Sequence, residues 1–170
     1  MPTSTPAIAL RFAERKDTAL ILAFVRELAA YEKLAHEVVA DEATLADNLF
    51  GEHPGAEVVI VEVDGHAAAF ALFFHNFSTF LGRRGLYLED LYVKPDYRGH
   101  GLGRLLMSFL ARLAIERGCG RFEWWVLDWN EPAIRFYREI GAVAMDQWTV
   151  QRVTGESLAV LAAEFDTPGT

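Results

Sequence analysis

The sequence has little cysteine and no long apolar run. Its single cysteine, Cys119, cannot form a disulfide within the chain, which suits a reducing compartment. No stretch reaches the roughly 20 apolar residues that a membrane-spanning helix needs. The first ten residues, MPTSTPAIAL, lack the basic segment and long apolar core of a signal peptide. These absences predict a cytoplasmic protein without a membrane partner.

Basic residues are also in deficit. Lys and Arg number 16 against 24 Asp and Glu, so the net charge is -8, which argues against binding the phosphate backbone of nucleic acid. The imbalance is uneven: between Glu27 and Asp64 ten acidic residues accompany one base, Lys33. Such a surface attracts cations, although an ordinary solvated acidic face explains the same composition.

The composition otherwise describes a globular protein. Of the 170 residues, 52% are hydrophobic and 24% charged, and the sequence contains no repeat, low-complexity tract or linker. We therefore expect one domain over residues 1–170, with a core from about 8 to 165.

Hydrophobic periodicity and turn residues predict alternating strands and helices. Strands are predicted at 8–13, 57–63, 66–74, 86–93, 122–127 and around 148–153, and helices at 18–31, 41–50, 102–117, 131–140 and 156–164. Residues 76–85 are predicted to be a loop. Because a strand–helix–strand crossover makes its strands parallel, strands 86–93 and 122–127 should be parallel neighbours. The fold class is α/β, with a mixed sheet and helices on both faces.

Three glycines alternate at the start of the helix at 102–117. The segment is Arg98-Gly99-His100-Gly101-Leu102-Gly103, followed by Arg104. Glycines allow successive amides to turn inward at the positive end of a helix, where a diphosphate binds well. The spacing matches neither a Walker loop nor GxGxxG, so spacing alone leaves a phosphate site and a plain turn both open.

This segment resembles motif A of the GCN5-related N-acetyltransferase (GNAT) superfamily. Further motifs, in matching order, resemble its diamine (spermidine/spermine) and thialysine acetyltransferase branch. They are ELAAYE (27–32), FGEHP (50–54), YLED (87–90), DYRGHGLG (96–103) and WNEPAIRFY (129–137). The resemblance extends over roughly residues 8–161.

The resemblance implies a GNAT fold that binds acetyl-CoA as co-substrate. The two central parallel strands should splay into a V that receives the pantetheine arm. Residues expected at the cofactor are Leu91, Tyr92 and Val93 for the arm, Arg98, Gly99, His100, Gly101, Leu102, Gly103 and Arg104 for the pyrophosphate, and Asn130, Glu131, Pro132 and Ala133 on its far side. Asn130 is also a plain helix N-cap candidate.

Two residues are expected to carry the chemistry. By resemblance, Tyr137 is the general acid that protonates the departing thiolate; the alternative is a core aromatic. An amine with a pKa near 10.4 is only about 0.1% neutral or less at pH 7, so a base must accept its proton. The resemblance assigns this to Glu89, directly or through water, and the alternative is a solvated acid at a strand edge.

The resemblance places Tyr31, Glu32, Glu89 and Asp90 at the acceptor, which implies a small cationic amine: a diamine, a polyamine, or a thialysine- or lysine-like molecule. The hairpin at 57–74 is tighter than in the animal polyamine enzymes, and NFSTF (76–80) stands where they carry a DPW stretch, so the acceptor's identity stays open.

Two other functions are compatible with the fold, a GNAT acting on a peptide or protein amine and a non-catalytic acyl-CoA sensor. A homodimer, with the C-terminal strand region contributing, is expected by resemblance. His53 and His100 lie apart from other ligand types, so no metal site is predicted.

Overall fold

The computed structural model describes residues 5–165. The chain forms two compact units, Met1–Trp125 and Val126–Thr170, and each is described by itself. The expectation of a single domain stays a prediction.

The first unit is built on one five-stranded sheet. Its strands are β1 (Ile8–Phe12), β2 (Glu57–Val63), β3 (His66–Ser78), β4 (Arg83–Val93) and β5 (Phe122–Trp124), in the spatial order β1-β2-β3-β4-β5. The first four strands are antiparallel neighbours, and β4 and β5 are parallel. The predicted mixed sheet with β4 and β5 as parallel neighbours is confirmed, but β5 forms the edge of the described sheet rather than part of its centre.

Local sequence signals define the three helices of this unit: α1 (Thr18–Tyr31), α2 (Glu42–Phe50) and α3 (Leu102–Glu116). Asp41 caps α2 by accepting a 2.8 Å hydrogen bond from the Thr44 amide. Gly118, at φ 69°, follows the end of α3 as predicted.

Helices cover both faces of the sheet. On one face, Phe24 of α1 stacks on Phe70 of β3 with ring centroids 4.9 Å apart, within a cluster that also includes Ile60 and Tyr92. On the other face, α3 packs against β3 and β4, and its Phe109 meets Phe12 edge-to-face.

The predicted loop at 76–85 is wrong, because β3 continues to Ser78 and β4 begins at Arg83. Asn76 and Gly85, both poor strand formers, are paired across this hairpin. A Cβ on residue 85 would collide with Oδ1 of Asn76, whose Nδ2 donates to Glu123 at 3.0 Å. Packing of the Asn76 side chain against the backbone of Gly85, which has no side chain, therefore allows β3 and β4 to extend through these residues.

The second unit contains α4 (Glu131–Glu139) and α5 (Gly155–Ala163). The strand predicted around 148–153 is wrong, since these residues form neither helix nor strand. They have an apolar strand-like composition, but a strand requires a hydrogen-bonded neighbour. In residues 5–165 no helix is long and apolar enough to cross a membrane.

Candidate functional site

The parallel pair β4–β5 is short and leaves part of β4 open. Pairing extends only from Leu86 opposite Phe122 to Leu88 opposite Trp124. β4 continues to Val93, and along Asp90–Val93 it remains paired with β3 on its other side. Among the described strands none pairs with the second edge of this part of β4. Its backbone can therefore hydrogen-bond an extended ligand, as the predicted splay requires.

A β-bulge lies at the point where the strands diverge. The register passes from Phe73 opposite Leu88 to Leu72 opposite Asp90, so Glu89 is the extra residue. Bulges redirect side chains and interrupt pairing. Glu89 is exposed and Asp90 is partly exposed. The two acids are thus presented at the opening of the splay.

Glu32, the residue that follows α1, completes an acidic cluster with Glu89 and Asp90. Burial, together with the charges of Glu89 and Glu32, raises the pKa of Asp90 to about 7. Burial also raises the pKa of Glu32. The structure therefore brings together three of the four predicted acceptor-site residues. Their combined field favours a bound cation.

Tyr31, the fourth of these residues, is the last residue of α1. The guanidinium carbon of Arg98 lies 5.1 Å from the centroid of its ring. The same carbon lies 5.4 Å from the ring of Tyr92, and Nε of Arg98 donates to the Val93 carbonyl at 2.9 Å. These ring contacts were not foreseen, because no local pattern links α1 to residues so far along the chain.

The glycine loop has the backbone that the sequence suggested. Gly99 and Gly101 have φ values of 77° and 80°, in the left-handed region that favours glycine. A Cβ at Gly99, Gly101 or Gly103 would meet no other atom within 4 Å, so the space beside them is open. The first amides of α3 have no partners within the helix and can bind an anion. The segment Gly99–Arg104 therefore fits a pyrophosphate, whereas the side chain of Arg98, expected at the same group, lies against Tyr31 and Tyr92.

The remaining predicted residues lie in the second unit. Asn130 is buried, and its Oδ1 accepts a 3.4 Å hydrogen bond from the Ala133 amide. It is therefore the N-cap of α4, and Glu131 and Pro132 lie in the first turn. Tyr137, on the same helix, is half-buried beside Phe136 at 5.5 Å between centroids.

Within the described part of the chain, no group of three or more His, Cys, Asp or Glu side chains is arranged to hold a metal ion.

Comparison with known proteins identifies the family of the chain. Residues 22–142 match the model of the acetyltransferase (GNAT) family. Thialysine N-epsilon-acetyltransferase of Sus scrofa is 35% identical over 169 residues, covering 93% of this chain and 99% of that protein. L-ornithine N5-acetyltransferase of Arabidopsis thaliana is 30% identical, covering 89% of this chain and 86% of that protein.

A similar fold occurs among solved structures. An integron cassette protein from the mobile metagenome of V. cholerae superposes with a TM-score of 0.77 at 28% identity. The match covers 91% of this chain and 97% of that one.

Proposed function

The chain belongs to the GNAT acetyltransferase family, and from this premise we propose that it moves an acetyl group from acetyl-CoA to the primary amine of a small cationic acceptor. The observation that carries the proposal is the cluster of Glu32, Glu89 and Asp90 at the open edge of β4. Two similar enzymes are named for thialysine and L-ornithine. Both are compact amino acids with a second amine, and such a molecule suits an acidic site.

The co-substrate is held by three segments in this proposal. Backbone groups of Leu91, Tyr92 and Val93 bind the pantetheine arm along the open edge. The amides of the glycine loop and Arg104 bind the pyrophosphate, and the start of α4 flanks it. When bound, acetyl-CoA supplies a thioester carbonyl to which the amine adds directly in a ternary complex.

The acceptor amine must lose a proton before it can react. Glu32 and Asp90 hold the cationic acceptor, and Glu89 accepts the proton. A carboxylate of ordinary basicity is a weak base for an amine. We therefore favour transfer to Glu89 through water over direct abstraction.

Tyr137 acts at the other end of the reaction. As the new C–N bond forms, the C–S bond breaks and the sulfur leaves as a thiolate. The Tyr137 hydroxyl donates its proton to that sulfur, and the second proton that the nitrogen loses on becoming an amide returns to Tyr137 through water. Of the two protons that the ammonium group loses, one therefore leaves by way of Glu89 and the other replaces the proton that Tyr137 gave to the thiol.

The assembly is proposed to be a homodimer in the cytoplasm, without a nucleic-acid or membrane partner. Large apolar side chains of the second unit are exposed, among them Val143, Trp148 and Phe165 at 74% or more. A second copy would cover them. The single cysteine and the net charge of -8 suit a reducing compartment and an absence of nucleic-acid binding.

The direct test is release of the CoA thiol by the purified protein supplied with acetyl-CoA and an amine. The panel holds thialysine, ornithine, lysine, putrescine, spermidine and a basic peptide. We expect turnover with at least one small amine and none with the peptide. Turnover restricted to the peptide would contradict the acceptor class, and tight acetyl-CoA binding without any turnover would indicate a sensor.

A further inference from the structure

Arg98 directly precedes the glycine loop in sequence, but its side chain lies against aromatic rings. Its guanidinium group is within cation–π distance of Tyr31 on α1 and Tyr92 on β4. Its Nε is fixed by the Val93 carbonyl at 2.9 Å. The side chain therefore connects the end of α1 to the end of β4.

Tyr92 gives this connection a rigid base. Its side chain is 6% exposed and meets Phe24 of α1 edge-to-face at 6.4 Å. Tyr31, in contrast, is 40% exposed at the last turn of α1. Arg98 thus links the more exposed ring of Tyr31 to the buried ring of Tyr92.

The end of α1 matters because Glu32 follows Tyr31 directly. The Glu32 amide still donates to the Leu28 carbonyl at 2.9 Å, so the two residues move with the helix. The charge of Glu32 acts on Asp90 across the gap between α1 and β4. The separation between these carboxylates depends on where the last turn of α1 lies.

We infer that Arg98 is a positioning residue for the acceptor amine: it fixes Tyr31 and, through it, Glu32 against β4. This inference rests on the proposed function and adds to it a determinant of acceptor binding. A guanidinium group is planar and stacks on rings while also donating along its plane. A lysine at this position keeps the charge but loses that geometry.

The variant Arg98→Lys separates this role from phosphate binding. Because the positive charge remains, the KM for acetyl-CoA should rise by less than about twofold. Because the ring contacts weaken, the KM for the amine should rise about five- to tenfold. Arg104→Gln is the comparison: Arg104 is exposed in the first turn of α3, and loss of its charge should raise the KM for acetyl-CoA rather than the KM for the amine.

A double-mutant cycle tests the link to Tyr31. Tyr31→Leu removes the ring and Tyr31→Phe retains it. With the ring gone, Arg98→Lys should produce little further rise in the amine KM, whereas in the Tyr31→Phe background it should keep its full effect. Independent, multiplying effects of Arg98→Lys and Tyr31→Leu would overturn the inference, as would a larger rise in the KM for acetyl-CoA than for the amine.

Thermal unfolding and CoA binding test the contact between Arg98 and Tyr31 without relying on turnover. The loss of Tm in the Arg98→Lys/Tyr31→Leu variant should be smaller than the sum of the two single losses, and additive losses would refute the contact. Calorimetric titration with CoA should give nearly unchanged affinity for Arg98→Lys. If the parent protein acetylates no amine, the proposed function fails, and the Tm cycle still decides whether Arg98 positions Tyr31.

Discussion

Asp90 is partly buried and has two neighbouring negative charges, those of Glu89 and Glu32. Its pKa of about 7 lies well above the 3.8 of an ordinary aspartate. The folded state therefore holds this proton more tightly than the unfolded state does. As pH rises from about 4 to 7 the unfolded chain loses the proton first, so the charged form of Asp90 costs stability above pH 7. A functional role explains why such a group is tolerated.

Replacing Asp90 by Asn should stabilise the protein while weakening its activity. At pH 8 the variant avoids a penalty on the order of 2–4 kcal/mol, and at pH 4 the gain should vanish. The KM for a cationic amine should rise at least about tenfold, since a carboxylate that holds the cation is lost. Thermal melts at both pH values and steady-state kinetics check this.

Glu52→Gln, at an exposed carboxylate of the same unit, is the control and should change neither quantity. Equal melting temperatures for Asp90→Asn and the parent at pH 8 would contradict the claim that the ionised form of Asp90 destabilises the folded state.

Tyr137→Phe tests the proposed general acid. The ring is retained, so the half-buried packing beside Phe136 and the affinity for acetyl-CoA should persist. Loss of the hydroxyl should lower kcat by about 10²- to 10⁴-fold, the usual contribution of a general acid. The measurement is kcat at saturating amine together with calorimetric binding of CoA, and an undiminished kcat would remove Tyr137 from the mechanism.

At the scale of the elements, a bidentate ion pair joins the start of β2 to the end of α3. Arg117 donates from both terminal nitrogens to Glu57, with Nη2 to Oε1 at 2.9 Å. The guanidinium group of Arg117 holds the pKa of Glu57 below its usual value. The pair fixes α3, and with it the glycine loop, relative to the sheet.

Glu57→Gln should cost about 1 kcal/mol at pH 7, a value reduced from a fully buried pair because both partners are partly exposed. A lowered pKa stabilises the folded state above the unfolded value near 4.5, and this contribution is lost as pH falls through the folded-state pKa. The difference between variant and parent should therefore shrink at pH 3, as denaturant titrations at both pH values would show.

Glu116→Gln provides a comparison on the same helix. Glu116 pairs with Arg112 one turn away at an exposed site, so its loss should cost less than about 0.5 kcal/mol. Equal losses in the free energy of unfolding for the two variants would show that the pair joining β2 to α3 stabilises the protein no more than an exposed pair does.

At the scale of the whole molecule, exposed large apolar side chains are more frequent along the second unit than along the first. Neither α4 nor α5 contains a buried residue. Trp148 is 74% exposed, and Val150 and Val153 are about half exposed. Many exposed large apolar side chains in one unit are consistent with an interface.

The purified protein should therefore sediment at twice its monomer mass of 19.0 kDa. Trp148→Asp should shift it towards the monomer, because a charge cannot be buried in an apolar contact without a partner. Phe80→Asp, at a 95% exposed residue of the β3–β4 hairpin, is the control and should leave the dimer intact. A monomeric parent protein would contradict the proposed dimer.

At the site, the sequence predicted which residues are present but not the features that depend on strand pairing. The acceptor residues were named by motif, but the bulge at Glu89 was not, since it is a property of the pairing between β3 and β4. The extended β3–β4 hairpin was missed because Asn76 and Gly85 read as loop residues. The roles of Tyr137 and Glu89 stay predictions.

The sequence by itself determined what depends on a few neighbouring residues. The cap at Asp41, the backbone of the glycine loop and the start of α4 at Asn130 follow from local conformational preferences. The tertiary structure alone decided what depends on packing between distant segments. It set the pKa of Asp90, the extent of the β4–β5 splay and the rings that Arg98 contacts, because burial and charge separation are fixed only when α1, β4 and the glycine loop come together.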